Sequence, residues 1–307
     1  MPPRQPASGH AVQSRPRLQK VFCLKPIHIL LLMGVATLWS GSFLFTRMAA
    51  PDFGPIALSA TRSAIAALVL MPLVLLTRRR AEFIDNLPKL VIIGLISTAL
   101  PFTLITISTQ YTSAGFASIL NALTPLFSAL LAWAWLKERL SGAALLGIGL
   151  GFSGVTVMMF DRDTIETDLP LLPILAGIGA TFFYGLTGNF TRRYLRNVSA
   201  LTISSGSQLF AALFLMVPAF FYWPEQALTT QDWLLAAVLG IFCTGLALLL
   251  FFHLLSQVGV ARAVVATYLV PVLAMLWGHL VLEELVTPQM LGGAILILTG
   301  IGLTTRT

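Results

Sequence analysis

Residue 62 is an arginine inside a long apolar run that spans about residues 54–76. A charge at the centre of a bilayer costs about 2.5–3.5 kcal/mol on insertion scales, so such residues usually face a cavity or a partner. On a helix, Ser59, Ser63 and Ala66 share its face. The chemistry open to Arg62 is binding: its fork of donors fits a carboxylate or a ring of backbone carbonyls. It also lies about two turns from the end of its run, so reaching outward to the interface is the other reading. Gln208 is a second polar residue in a run of similar character.

Other polar residues recur at helical spacing. Ser118, Asn121, Thr124, Pro125 and Ser128 form one stripe. Pro125 removes a backbone hydrogen bond that neighbours or water must replace. The stripe is either a kinked, cavity-lining face or a set of hydroxyls bonded to their own helix. Thr37, Trp39, Ser40, Gly41 and Ser42 make a second cluster, and Thr181, Tyr184, Gly185, Thr187, Gly188 and Asn189 a third. Aromatic rings beside small residues suit an amphipathic pocket, and equally a close helix contact. Tyr268 and His253 are weaker candidates, and His253 lies near the end of its run, where an interfacial place is commoner than a proton relay. Trp133 and Trp135 read as interface anchors.

These residues are held by elements that the composition defines. Of 307 residues, 57% are hydrophobic and 10% charged, far too little charge for a soluble surface. Spanning a bilayer takes roughly 20 apolar residues. Ten runs qualify: 28–48, 54–76, 88–109, 114–136, 142–160, 170–194, 199–222, 232–253, 261–283 and 288–305. Lipid leaves backbone groups unsatisfied, and the runs are too long and uniform for barrel strands, so they are helices. Residues 1–27 form a basic, proline-containing tail expected to be disordered. It does not read as a cleaved signal peptide.

With the N-terminus in the cytoplasm, sixteen of the nineteen Lys and Arg fall on cytoplasmic segments. Asp161, Asp163, Glu166 and Asp168 crowd one outer loop, 161–169. The positive-inside rule then places both termini in the cytoplasm. The net charge of +7 is thus a topology signal, not a nucleic-acid signal.

The chain also repeats. At an offset of 146, Ser59 falls on Ser205, Arg62 on Gln208, Pro72 on Pro218, Gly94 on Gly240 and Thr98 on Thr244. Pro125 falls on Pro271, Glu138 on Glu284, Gly147 on Gly293 and Gly154 on Gly300. The first run needs an offset of 144, which sets Gly41 on Gly185. Five spans is an odd number, so a second copy, 170–307, enters the membrane opposite to the first, 28–160.

Tyr111-Thr-Ser-Ala-Gly-Phe-Ala-Ser-Ile-Leu, Thr124-Pro125-Leu-Phe, Leu136-Lys-Glu-Arg-Leu140 and the glycine-rich Leu146–Gly154 together resemble the drug/metabolite transporter superfamily, more narrowly its EamA-like branch. Pro271, Leu282-Glu-Glu-Leu and Gly292-Gly293 through Gly300 repeat the pattern loosely. The resemblance implies an all-α membrane protein of ten helices in two inverted five-helix repeats around a central cavity. It also implies a monomer in the bacterial inner membrane that exports small metabolites, often amino acids or drugs.

Absences narrow the chemistry. No Asp or Glu falls in mid-span, and the first span lacks the carboxylate on which the small four-helix multidrug relatives depend. There is no P-loop, and Cys23 and Cys243 make neither a disulfide framework nor a metal site, so no cofactor is expected. A membrane-embedded enzyme would need a nucleophile–base pair or metal triad, and His28, His253 and His279 have no evident partner. The reading is a secondary transporter of small metabolites, amino acids foremost. A drug or cation exporter and a passive channel are the alternatives. Candidate substrate-binding residues are Trp39, Ser42, Arg62, Thr98, Asn121, Tyr184, Asn189, Gln208 and Tyr268, with Pro125 and Pro271 as hinges. Glu138 and Glu284, at helix ends, cap or pair with loop cations.

Overall fold

The computed structural model describes residues 25–160, 171–263 and 265–305. The tail through Leu24, with Cys23, and the acidic loop fall outside them. The described chain is helical throughout: α1 (Pro26–Phe53), α2 (Pro55–Leu76), α3 (Leu87–Gln110), α4 (Ala114–Leu136), α5 (Gly142–Met159), α6 (Leu171–Tyr194), α7 (Ala200–Phe221), α8 (Thr230–Val258), α9 (Val265–Leu282) and α10 (Pro288–Thr305). Two short helices, Arg80–Asp85 and Val260–Ala263, lie before α3 and α9. Among the described residues, the first nine numbered helices are long and apolar enough to cross a membrane, and α10 is a shorter apolar helix.

Local chemistry sets the helix ends. Ser113, Ser141, Ser199 and Thr229 sit extended at N-caps, where each side-chain oxygen accepts a backbone N–H that the helix cannot satisfy. Thr229 and Asp232 complete a reciprocal capping box. The first helix runs five residues past the apolar run, through Pro51, and stops at Gly54. There φ is 71°, a conformation that a residue without a β-carbon adopts cheaply.

Glycines let backbones touch where lipid supplies no hydrophobic drive between helices. A β-carbon at Gly147 would strike the carbonyl of Gly300, and one at Gly154 would stand 2.8 Å from that of Gly293, so α5 and α10 lie backbone to backbone. Gly94 of α3 packs on Phe210 and Ala211 of α7, and Gly240 of α8 on Ile65 and Arg62 of α2. Each contact is its partner's counterpart at the 146-residue offset, Gly94 to Gly240 and Ile65 to Ala211. The α2 and α7 helices pack along each other, with the Ser205 hydroxyl donating to the Leu70 carbonyl. Leu68, Leu146, Phe220 and Ile295 lie exposed on the outside, the surface that a bilayer would cover.

Candidate functional site

Two helices change register at matching positions. Leu95–Ala99 in α3 and Ile241–Leu246 in α8 are π-helical, and Leu95 and Ile241 are 146 residues apart. Such turns free a carbonyl and shift the side chains that follow, and they occur frequently at functional sites. In α8 the hydroxyl of Thr244 fills the need by donating to the Leu239 carbonyl at 2.8 Å. Its oxygen then accepts from Nε of Arg62 at 2.8 Å.

Arg62 is only 8% exposed. Its guanidinium carbon lies 4.1 Å from the centroid of the Phe102 ring, a cation–π contact. The Tyr184 phenol and the Cys243 thiol lie within electrostatic reach of it. Three helices, α2, α3 and α8, therefore meet at one buried cation. Among the described residues no carboxylate pairs with Arg62, and no group of three His, Cys, Asp or Glu could hold a metal. A fixed buried cation with its planar fork only partly used can receive an anionic oxygen pair.

The other expected residues have several fates. Gln208 is 2% exposed, with a buried Oε1 that accepts no hydrogen bond, as is the Oδ1 of Asn121. Thr98, in the π turn of α3, shares a hydrogen bond with Ser97 at 3.2 Å. Asn189 ties α6 to α4: its Nδ2 donates to the carbonyls of Ser128 and Gly185, each at 2.9 Å. Thr187 donates to the Ile96 carbonyl in the α3 π turn at 3.0 Å. Trp39 leans on Phe251, with ring centroids 4.8 Å apart. Ser42 is buried beside Phe43 and Leu44, and Tyr268 packs against the apolar cluster around Leu120 and Leu123.

In the α4 stripe, Ser118 and Thr124 donate to carbonyls of their own helix, at 2.7 and 2.8 Å. The helical hydrogen bonding of α4 is interrupted between Asn121 and Thr124, just before Pro125. Pro271, by contrast, lies inside an unbroken α9. Sequence reasoning did not select Phe102, Thr244 or Trp277, whose indole N–H donates to Ser40 at 3.1 Å. Thr244 was within reach as the counterpart of Thr98, whereas nothing in the sequence pointed to the other two.

At one end of the bundle Glu82 binds the start of α7. Burial pushes its carboxyl up, but hydrogen bonds from the Thr202 and Ser199 side chains, the Ser199 backbone and Arg79 outweigh it and hold the group at about 2. An apolar groove on α5 is lined by Leu145, Gly149 and Ser153, and neither Arg62 nor any of its partners lines it.

Residues 26–160 and 171–306 each match the EamA-like transporter family. The chain is 23% identical to the uncharacterized transporter YoaV of Bacillus subtilis, over 90% of this chain and 96% of that one. It is 25% identical to an uncharacterized transporter of Archaeoglobus fulgidus, covering 88% and 95% of the two chains. A probable terminal-alkyne amino-acid exporter of Streptantibioticus cattleyicolor is also 25% identical, over 87% and 90%. One solved crystal structure superposes with a TM-score of 0.65 at 19% identity, covering 91% of this chain and 96% of that one, a likeness of fold.

Proposed function

Because the chain belongs to the EamA-like transporter family of the drug/metabolite transporter superfamily, we propose that it is a secondary transporter exporting small metabolites, amino acids foremost, across a bacterial inner membrane. The observation that carries the substrate class is Arg62, a buried cation that pairs with no carboxylate among the described residues, where three helices meet. Such a group binds a substrate carboxylate and repels a cationic drug. The relative named as an amino-acid exporter agrees with this reading.

The proposed architecture is two inverted five-helix repeats, 28–160 and 170–307, with both termini in the cytoplasm. The matched π turns and the exchanged glycine contacts support it, as does the distribution of Lys and Arg. Rocking of one repeat against the other would expose Arg62 to each side in turn. The broken α4 before Pro125 and the proline within α9 are the proposed flexible points. Trp39, Ser42, Thr98, Asn121, Tyr184, Asn189, Gln208 and Tyr268 are proposed to line the path in one or another state. The proposed unit is a monomer that needs no cofactor.

Counterflow in proteoliposomes tests this. Vesicles loaded with unlabelled amino acids should take up the labelled form with saturable kinetics. No saturable exchange across a panel of amino acids and related carboxylates retires the proposal, and flux that never saturates identifies a channel instead.

A further inference from the structure

The α4 helix marks both ends of the bundle, since its 23 residues separate Ala114 from Leu136 by roughly 34 Å at 1.5 Å per residue. At the Ala114 end, Glu284 accepts the Ala114 backbone N–H on its two oxygens, at 3.1 and 3.0 Å. The same carboxylate lies 3.6 Å from Nε of Arg47, whose Nη1 donates to the Gln110 carbonyl at 2.6 Å. At the Leu136 end, Glu138 pairs with Arg192 in the last turn of α6.

The two assemblies are counterparts. Glu284 follows Glu138 by 146 residues, and Arg192 lies one residue beyond Thr191, the position that the 144-residue offset of the first helix sets against Arg47. Each glutamate comes just after the fourth helix of one half, and each arginine lies in the first helix of the other half. Each glutamate also follows a residue in the left-handed conformation, Lys137 at φ 60° and Glu283 at φ 55°. Neither is glycine, so both positions carry strain that the surrounding structure must hold. A left-handed residue thus precedes both carboxylates, and each carboxylate pairs across the boundary between halves.

The pairs differ in burial. Arg47 and Glu284 are 16% and 12% exposed and carry the added bonds to α3 and α4. Arg192 and Glu138 are 60% and 43% exposed, beside a surface cleft lined by Trp135, Leu136 and Arg193. An exposed ion pair is weak and screened by salt, whereas breaking a buried one leaves an uncompensated charge.

We propose that these two Arg–Glu pairs are opposing latches, one at each mouth, and that the present conformation is firmly shut at the Arg47–Glu284 end and lightly latched at the Arg192–Glu138 end. The mouth at Arg192–Glu138 opens first. Releasing Glu284 shifts the population toward the opposite state, in which the Arg47 mouth is open and the Arg192 mouth closes more tightly. The purpose of the latches rests on the transporter reading above, but their mechanics do not.

The test is a pair of spin-label distances in the full-length protein in lipid nanodiscs, with Cys23 and Cys243 replaced by Ser. One label pair sits at Asp52→Cys and Leu285→Cys, the other at Arg139→Cys and Asn197→Cys. Glu284→Gln should lengthen the first distance by about 5 Å, one turn's rise, and shorten the second. Glu138→Gln should lengthen only the second. If Glu284→Gln does not yield a monodisperse protein, Arg47→Gln carries the same test, because it leaves Glu284 on the Ala114 N–H. A change confined to the Arg47 mouth, or no change at either, overturns the latches and leaves a local structural bond. Reciprocal distances in a protein that shows no saturable exchange would retire the transport reading and leave the latches standing.

Discussion

Replacing Arg62 with Gln tests whether the buried cation binds a substrate carboxylate. Glutamine is the residue at the matching position of the other half, Gln208, so the change preserves polarity and most of the length while deleting the charge. A charge-assisted hydrogen bond contributes about 1.5–3 kcal/mol. At 1.4 kcal/mol per tenfold, losing it weakens binding of a carboxylate substrate by roughly 10- to 100-fold. The fold itself should change little. The variant loses the Thr244 bond and the Phe102 contact, but it also relieves the burial of a cation that is 8% exposed. The assay is ligand-induced thermal stabilisation, followed by calorimetric titration, with the amino acid that most raises the apparent melting temperature of the wild type. The same amino acid without its carboxyl group is the control. If the decarboxylated amine binds wild type as tightly as the acid, or if Arg62→Gln binds the acid unchanged, the assignment of Arg62 to a substrate carboxylate is wrong.

Three further outcomes are expected. Gly300→Leu drives a side chain into the Gly147 carbonyl and should abolish the α5–α10 contact, seen as loss of monodisperse protein on size-exclusion chromatography; Gly302→Leu, whose added β-carbon would meet no neighbouring helix within 4 Å, should be tolerated. Glu82 has its folded-state value depressed from 4.5 to about 2, so its stabilisation is fully present above pH 4.5 and is lost as the pH falls from there toward 2. Glu82→Gln should therefore cost about 1–2 kcal/mol at pH 7 once the shift is discounted for solvent screening, and its melting temperature should converge on that of wild type in acid. Pro125→Ala restores a backbone donor at the break in α4, and it should slow counterflow several-fold without lowering the melting temperature.

Much of the architecture was legible in the residue order because lipid leaves a chain few choices. Apolar runs long enough to cross a bilayer must be helices, and the glycines at 147, 154, 293 and 300, spaced for close approach, are the ones where α5 and α10 touch. Arg62 stood out for a similar reason, since a charge within an apolar run needs a partner, and it proves buried with partners on α3 and α8. Which partners it takes was not legible. Phe102 and Thr244 lie on helices distant in sequence, and nothing in composition marks a π turn, because that register is a choice of backbone hydrogen bond made under packing. Polar side chains showed the same limit. Asn189 and Asn121 look alike on a helical wheel, yet one is spent joining α6 to α4 while the other keeps a buried oxygen without a donor. The residue order by itself determined the helices, their repeat and the presence of a buried cation, since these follow from the solvation of one segment at a time. Only the tertiary structure decided what that cation meets and which arginine each end-cap glutamate holds, because those pairings depend on how separate helices come to lie against one another.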